Sequence, residues 1–187
     1  GEIAPDPADP FADVAARWVD GVPEYLTDQD GNALGQSVAC NADCSVIVGY
    51  AGTASNQAWR WTEATGVQYL GTLPDAAPDS TYVAIDLNRD GTVIVGSYYA
   101  FDPTLGNVNR PFIWTPADHL QDLLSYLADN GIDYGAGFND LVANAVTSNG
   151  RQIVLNGTDA DYVHKAAVIT ITPPDPIFAD GFDTTPL

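Results

Sequence analysis

The chain contains no methionine, 2 cysteines and 2 histidines, and sets 6 Lys and Arg against 25 Asp and Glu. Each shortage excludes something. A formal net charge of −19 repels phosphate backbones and anionic lipid surfaces, so nucleic acid is not an expected partner. No stretch approaches the roughly 18 consecutive apolar residues of a membrane helix, so membrane insertion is not expected either. Cys40 and Cys44 are too few for a structural zinc site, which usually takes about four ligands, and read as a disulfide formed in an oxidising compartment. His119 and His164 belong to no recognisable metal spacing and read as surface residues. There is no Gly-x-Ser-x-Gly elbow, phosphate loop or redox Cys-x-x-Cys, and no carboxylate pair stands out among 25 acids, so the chain reads as non-enzymatic. The start at Gly1 and the lack of methionine suggest a processed mature form, from which an export signal has been removed, or a trimmed chain. The acids are scattered, as on a solvated surface.

What is present is repetition. The run Cys40-Asn-Ala-Asp43-Cys44-Ser-Val-Ile-Val-Gly49 aligns without gaps on Leu87-Asn-Arg-Asp90-Gly91-Thr-Val-Ile-Val-Gly96, and more weakly on Val146-Thr-Ser-Asn149-Gly150-Arg-Gln-Ile-Val-Leu155. Asp-Gly and Asn-Gly supply the positive φ angles of tight hairpins, and the β-branched run that follows suits a buried strand. Cys44 stands at the glycine position of the first copy, where a bridge to Cys40 would staple the turn. A second shared strand follows each turn: Ala58-Trp-Arg-Trp61-Thr62, Pro111-Phe-Ile-Trp114-Thr115 and Ala166-Ala-Val-Ile169-Thr170. A further strand, Gly66-Val-Gln-Tyr-Leu70-Gly-Thr-Leu73, completes a four-stranded unit whose spacing fits the roughly 40–50 residues of a propeller blade.

The N-terminal stretch Ala15-Ala-Arg17-Trp18…Gly21-Val22…Tyr25-Leu26 echoes Trp59-Arg60-Trp61…Gly66-Val67…Tyr69-Leu70 and reads as a half unit. Phe11, Val14, Ala15 and Trp18 also have helical spacing, but strand is the preferred reading. A helix is predicted over 116–130, capped by Thr115, striped by Leu120, Leu123, Leu124 and Leu127 and ended by Gly131, in place of a fourth strand. The expected architecture is therefore all-β: a propeller-like array of about three four-stranded units, with that one helix and extended terminal tails. The expected divisions are a tail at 1–13, a β-repeat domain at 14–171 and a tail at 172–187.

On the motifs Phe112-Ile-Trp114-Thr115, Leu70-Gly-Thr-Leu73 and Asp90-Gly91-Thr-Val-Ile-Val-Gly96 the chain resembles bacterial extracellular proteins with HAF-type repeats. The resemblance covers about residues 15–171 and implies a β-propeller-like fold and a secreted or cell-surface location. It implies no catalytic residue. Leu155 and Ile169 depart from its Gly and Trp positions in the third copy. The ending Asp175-Pro-Ile-Phe-Ala-Asp-Gly-Phe-Asp183 is similar to C-termini of many exported bacterial proteins.

Asp86-x-Asn88-x-Asp90-Gly91 has the alternating oxygens of a calcium loop, although Ser97 stands where such a loop needs its last acidic ligand. A decorated hairpin turn is the plainer reading. Asp28, Asp30 and Asn32 around Gly31 read as another turn. Trp59, Trp61 and Trp114 suit core packing better than a carbohydrate-stacking surface. Asn156-Gly-Thr158 fits a glycosylation sequon, which has meaning only in a eukaryotic secretory host. A short array of blades leaves strand edges at both ends, and such edges pair with other chains. The expected function is a secreted structural or interaction protein that self-associates, with Trp18, Ile177, Phe178 and Phe182 as assembly residues and cell-surface proteins or glycans as further partners. The alternative is a monomeric binding module dependent on carbohydrate or calcium.

Overall fold

The computed structural model describes residues 2–3, 14–51, 56–74, 76–77, 79–134 and 137–171. Its strands form four antiparallel sheets that follow one another along the chain. The first holds β1 (Glu2–Ile3), β2 (Val14–Val19) and β3 (Val22–Tyr25). The second holds β4 (Gln36–Cys40), β5 (Val46–Tyr50), β6 (Ala58–Thr62) and β7 (Gly66–Tyr69). The third holds β8 (Tyr82–Leu87), β9 (Ile94–Asp102), β10 (Gly106–Thr115) and β11 (His119–Asp122). After the helix α1 (Leu123–Asp129), the fourth holds β12 (Asp140–Val146), β13 (Gln152–Thr158) and β14 (His164–Thr170). Every neighbour in a sheet is a neighbour in sequence, as hairpin connections dictate.

The sheets pack face to face in series. β4 lies against β2, β8 against β4, β5 and β6, and β12 against β8, β9 and β10. Side chains alternate across a strand, so each inner sheet feeds two cores. In β5, Val46 and Val48 enter the core shared with the third sheet, while Ile47 enters the core shared with the first. The third sheet repeats this. Ile94 faces the second sheet, and Val93 and Val95 face the fourth. The unbroken β-branched runs seen in the sequence are thus strands buried on both faces.

The repeats extend to irregularities. An extra residue interrupts the first strand of each later sheet at Val38, Ile85 and Asn144, in each case five residues before the turn residue Asp43, Asp90 or Asn149. Such a bulge twists the strand locally. One glycine per inner sheet lies opposite it: a Cβ on Gly49 or Gly96 would fall within 2.0 Å of the Gln36 or Val83 carbonyl oxygen. In the fourth sheet Leu155 takes that place, opposite Ala143, and the sheet forms regardless.

Two expectations need correction. The helix begins at Leu123 rather than at 116, because 116–118 turn the chain and His119–Asp122 pair with Phe112–Thr115 as a fourth strand. Thr115 Oγ1 accepts a hydrogen bond from the Asp118 backbone N–H in that turn, and Asp122 is the helix cap, accepting from Ser125 N–H at 2.8 Å. The leucine stripe divides accordingly: Leu120 packs with the second core, whereas Leu123 and Leu127 are buried in the third. Second, the segment 1–13 is not all tail, since Glu2–Ile3 pair with Val14–Ala15.

Candidate functional site

The turns before the second strands share one construction. The N–H of Cys44, Gly91 and Gly150 donates to the carbonyl of Asn41, Asn88 and Thr147 respectively, and all three donors lie at positive φ. Asn41 Oδ1 accepts from Val46 N–H at 2.9 Å, Asn88 Oδ1 from Val93 N–H at 2.9 Å, and Thr147 Oγ1 from Gln152 N–H at 3.0 Å. The turns also stack on each other. Asn41 Nδ2 donates to the Arg89 carbonyl, and Arg89 N–H donates to the Ser148 carbonyl, so one row of bonds crosses three sheets. Cys44 is the non-glycine residue in this row, and it is bridged to Cys40 as expected.

This placement accounts for the calcium candidates. Asn88 is fully buried and caps its own turn. Asp86 accepts the Val146 N–H at 2.8 Å and so ties the third sheet to the fourth. Asp90 is exposed at the turn. Among the described residues no group of three or more His, Cys, Asp or Glu converges on a cation position. Asp28 likewise caps a turn, accepting from Asn32 Nδ2, Asn32 N–H and Asp30 N–H, and the bonds from Asn32, its side chain first, hold the Asp28 carboxyl below the usual range. Asp43, Asp102 and Asp159 are depressed by similar bonds, chiefly from Ser45, Thr104 and Lys165. These acids therefore serve turn geometry, with Asp159 also paired to Lys165. His119 and His164 are exposed strand residues, and Asn156 is exposed on β13.

The geometry that points outward lies at the two ends of the series. Arg17 sits 4.5 Å from the centre of the Trp61 ring, and Arg60 sits 5.3 Å from that of Trp114. These are equivalent positions: Leu26 N–H bonds to the Ala15 carbonyl as Leu70 N–H bonds to the Ala58 carbonyl, which sets Arg17 over Arg60 and Trp18 over Trp61 in register. At the third interface the same two positions are Ile113 and Ile169, which share one core. Each sheet thus presents one residue forward (Arg17, Arg60, Ile113, Val168) and one backward (Trp18, Trp61, Trp114, Ile169). The inner ones are paired. Those left over are Trp18, 51% exposed, and Val168, 64% exposed, whereas Trp61 and Ile169 are 9% and 3% exposed. Trp59, Trp61 and Trp114 are core residues, as the sequence suggested.

Among the described residues the edge of β2 is paired over a shorter length than that of β6. β1 pairs only with Val14 and Ala15, whereas β5 pairs with the whole of Ala58–Thr62. Beside Arg17 and Trp18 lies a cleft of about 320 Å³, closed on the other side by Ser37–Cys40, Cys44 and Ile47. The other residues expected from the sequence to serve assembly, Ile177, Phe178 and Phe182, lie outside the described residues. No protein-family model matches the chain, and no curated protein is significantly similar to it. Sequence reasoning singled out Trp18 but missed Val168, although the aligned strands carry a signal: Val168 aligns with Arg60 and Ile113.

Proposed function

We propose that this is a secreted structural or interaction protein whose copies associate end to end, the forward face of the fourth sheet of one copy meeting the backward face of the first sheet of the next. The observation that carries the reading is the pair of unfilled repeat positions, Trp18 and Val168, on opposite ends of a series whose inner positions are all filled. Val168 pairs across the strand with the part-exposed Val154, where Val48 and Val95, at the same register in the inner sheets, are fully buried. Two different faces meeting in this way make a heterologous contact, which propagates into a ring or filament. The four sheets then act as a propeller-like open array. The Cys40–Cys44 bridge suits an oxidising, extracellular setting, and no helix among the described residues is long and apolar enough to cross a membrane.

The test is light scattering and negative-stain microscopy of the full chain beside Val168→Asp and Trp18→Asp. Oligomers in the wild type that dissolve in both variants are expected. Salt should lengthen them, because copies carrying a net charge of −19 repel each other until screened. A compact monomer at all salt concentrations overturns the reading.

A second reading, a saccharide-binding module, has one observation in its favour. Ser80, 5% exposed, has a hydroxyl without a hydrogen-bond partner among the described residues, and it lines a cleft with Asp79, Asn107 and the exposed Tyr99 and Phe101. Titration calorimetry with soluble cello-, malto- and chito-oligosaccharides tests it. Heat lost in Phe101→Ala is expected, and the absence of heat with all of them overturns it.

A further inference from the structure

We propose that the cleft beside the outer half of β9 takes an amino sugar, the Asp79 carboxylate pairing with the protonated amine of a glucosamine unit whose ring lies on Tyr99 and Phe101. The proposal rests on the saccharide reading above and names the class of sugar.

The cleft is built where two strands of unequal length run side by side. β8 begins at Tyr82, paired with Tyr98, whereas β9 continues to Asp102. Tyr99 N–H still donates, to the Thr81 carbonyl at 3.0 Å, and two residues further on the Phe101 N–H points to the same side by strand alternation. There a cleft of about 450 Å³ opens between Asp79 and Ser80 on one wall and Tyr99, Phe101 and Asn107 on the other. The first wall is held in place: Ser80 N–H donates to the Ala77 carbonyl at 2.9 Å, and the Asp79 carbonyl accepts from Asn56 Nδ2 at 3.3 Å.

Three features of the walls suit a sugar. Tyr99 and Phe101 leave the same face of β9, about 7 Å apart along the strand, and are 52% and 66% exposed. The negative face of an aromatic ring attracts the C–H groups of a pyranose and attracts a cation more strongly. Asn107, the cross-strand partner of Phe101, has an amide that both donates and accepts, as neighbouring sugar hydroxyls require. The Ser80 hydroxyl is buried without a partner among the described residues. A buried hydroxyl left so is costly, and a sugar hydroxyl entering beside it supplies the missing bond.

Charge decides which sugar. Asp79 is exposed and belongs to none of the ion pairs among the described residues. Arg110, the cation of the same hairpin, is paired with Asp102 at 3.6 Å and lies on the face opposite Asn107 and Phe101. An acidic sugar would meet this carboxylate and a chain of net charge −19, and a neutral sugar would leave the carboxylate unmatched. An amino sugar brings the absent cation to both the carboxylate and the rings.

Titration calorimetry compares the glucosamine tetramer, the N-acetylglucosamine tetramer and tetralysine on the full chain and on its Asp79→Asn, Phe101→Ala and Asp90→Asn variants. The glucosamine tetramer should bind about 5–10-fold more tightly than its N-acetyl counterpart. That preference should vanish in Asp79→Asn and persist in Asp90→Asn, which removes the same charge at the opposite end of β9. Phe101→Ala should weaken both tetramers. Equal binding of the two overturns the amino sugar and leaves the saccharide reading standing, whereas no heat from any saccharide overturns both. A preference that survives Asp79→Asn comes from the net charge and overturns this site. Tetralysine that binds as tightly, with the same dependence on Asp79 and Phe101, overturns the saccharide as occupant. Far-UV circular dichroism on each variant excludes misfolding as the cause of lost heat.

Discussion

The turns at 41–45 and 88–92 solve one geometric problem in two ways. Both place a residue at positive φ, Cys44 at 54° and Gly91 at 65°. Gly91 has no side chain, and Val46 of the preceding sheet packs into the space so left. Cys44 has a side chain and uses it, bonding to Cys40 across the turn. The difference comes from the neighbour: behind Gly91 stands a complete sheet, and behind Cys44 stands a cleft. A backbone requirement shared by every repeat is met by glycine where space is scarce and by a covalent staple where it is not.

The largest effect should come from giving the third sheet the side chain that the second tolerates. Gly91→Ala meets both the left-handed backbone penalty and the clash with Val46, a loss of about 2–4 kcal/mol, read as a fall in the urea midpoint. Next, Cys40→Ser with Cys44→Ser leaves a positive φ without its staple and should cost about 1–3 kcal/mol. Cys40→Ala with Cys44→Gly, which gives the second sheet the glycine turn of the third, should recover about 1 kcal/mol of that loss; no recovery would show that the bridge acts in some other way than holding the turn. Arg60→Ala, which uncovers Trp114 between two complete sheets, should cost about 1–2 kcal/mol, and Arg17→Ala, beside the cleft, less than about 1 kcal/mol, both by urea unfolding.

The smallest effect is electrostatic. Asp43 Oδ1 accepts Ser45 N–H at 3.0 Å, and Asn149 Oδ1 accepts Arg151 N–H at 3.0 Å in the equivalent turn. The folded state holds the Asp43 carboxyl below its ordinary value through its bonds with Ser45. Its contribution is therefore complete above the unfolded value of about 3.9 and disappears as pH falls through the folded one. Asp43→Asn should match wild type at neutral pH and lose less stability below about pH 4 in acid titration of the unfolding midpoint.

The repeating strands were legible because Val-Ile-Val recurs behind each turn at Val46, Val93 and, less fully, Ile153, and β-branched runs flanked by turn residues leave few alternatives. The strand at Ala15–Trp18 was legible through its likeness to β6, despite a helical spacing of apolar residues. The leucines at 120–127 misled for the same reason in reverse: their spacing is helical, but cross-strand pairing of His119–Asp122 with β10 takes the first of them. This short hairpin leaves no Asn-Gly or Asp-Gly mark in the sequence. Neither do the bulges at Val38, Ile85 and Asn144, nor the reach of Asp86 to the Val146 amide, which turned an apparent metal-ligand spacing into a link between sheets. Trp18, whose side chain is exposed, was marked in the sequence. The cleft beside it was not, since it exists only by comparison with a neighbouring sheet folded around it.

The three cores lie in series, each shared mainly by two adjacent sheets. Stability in such an array is a sum of intrinsic and nearest-neighbour terms, so a sheet with two neighbours is held by two couplings and a sheet with one by a single coupling. Amide hydrogens of β5 and β9 should therefore exchange with solvent more slowly than those of β3 and β14, and unfolding should start by fraying from the ends. Joining copies end to end would change that: an end sheet would become an inner one, and the protection of β14 would report directly on the length of the assembly.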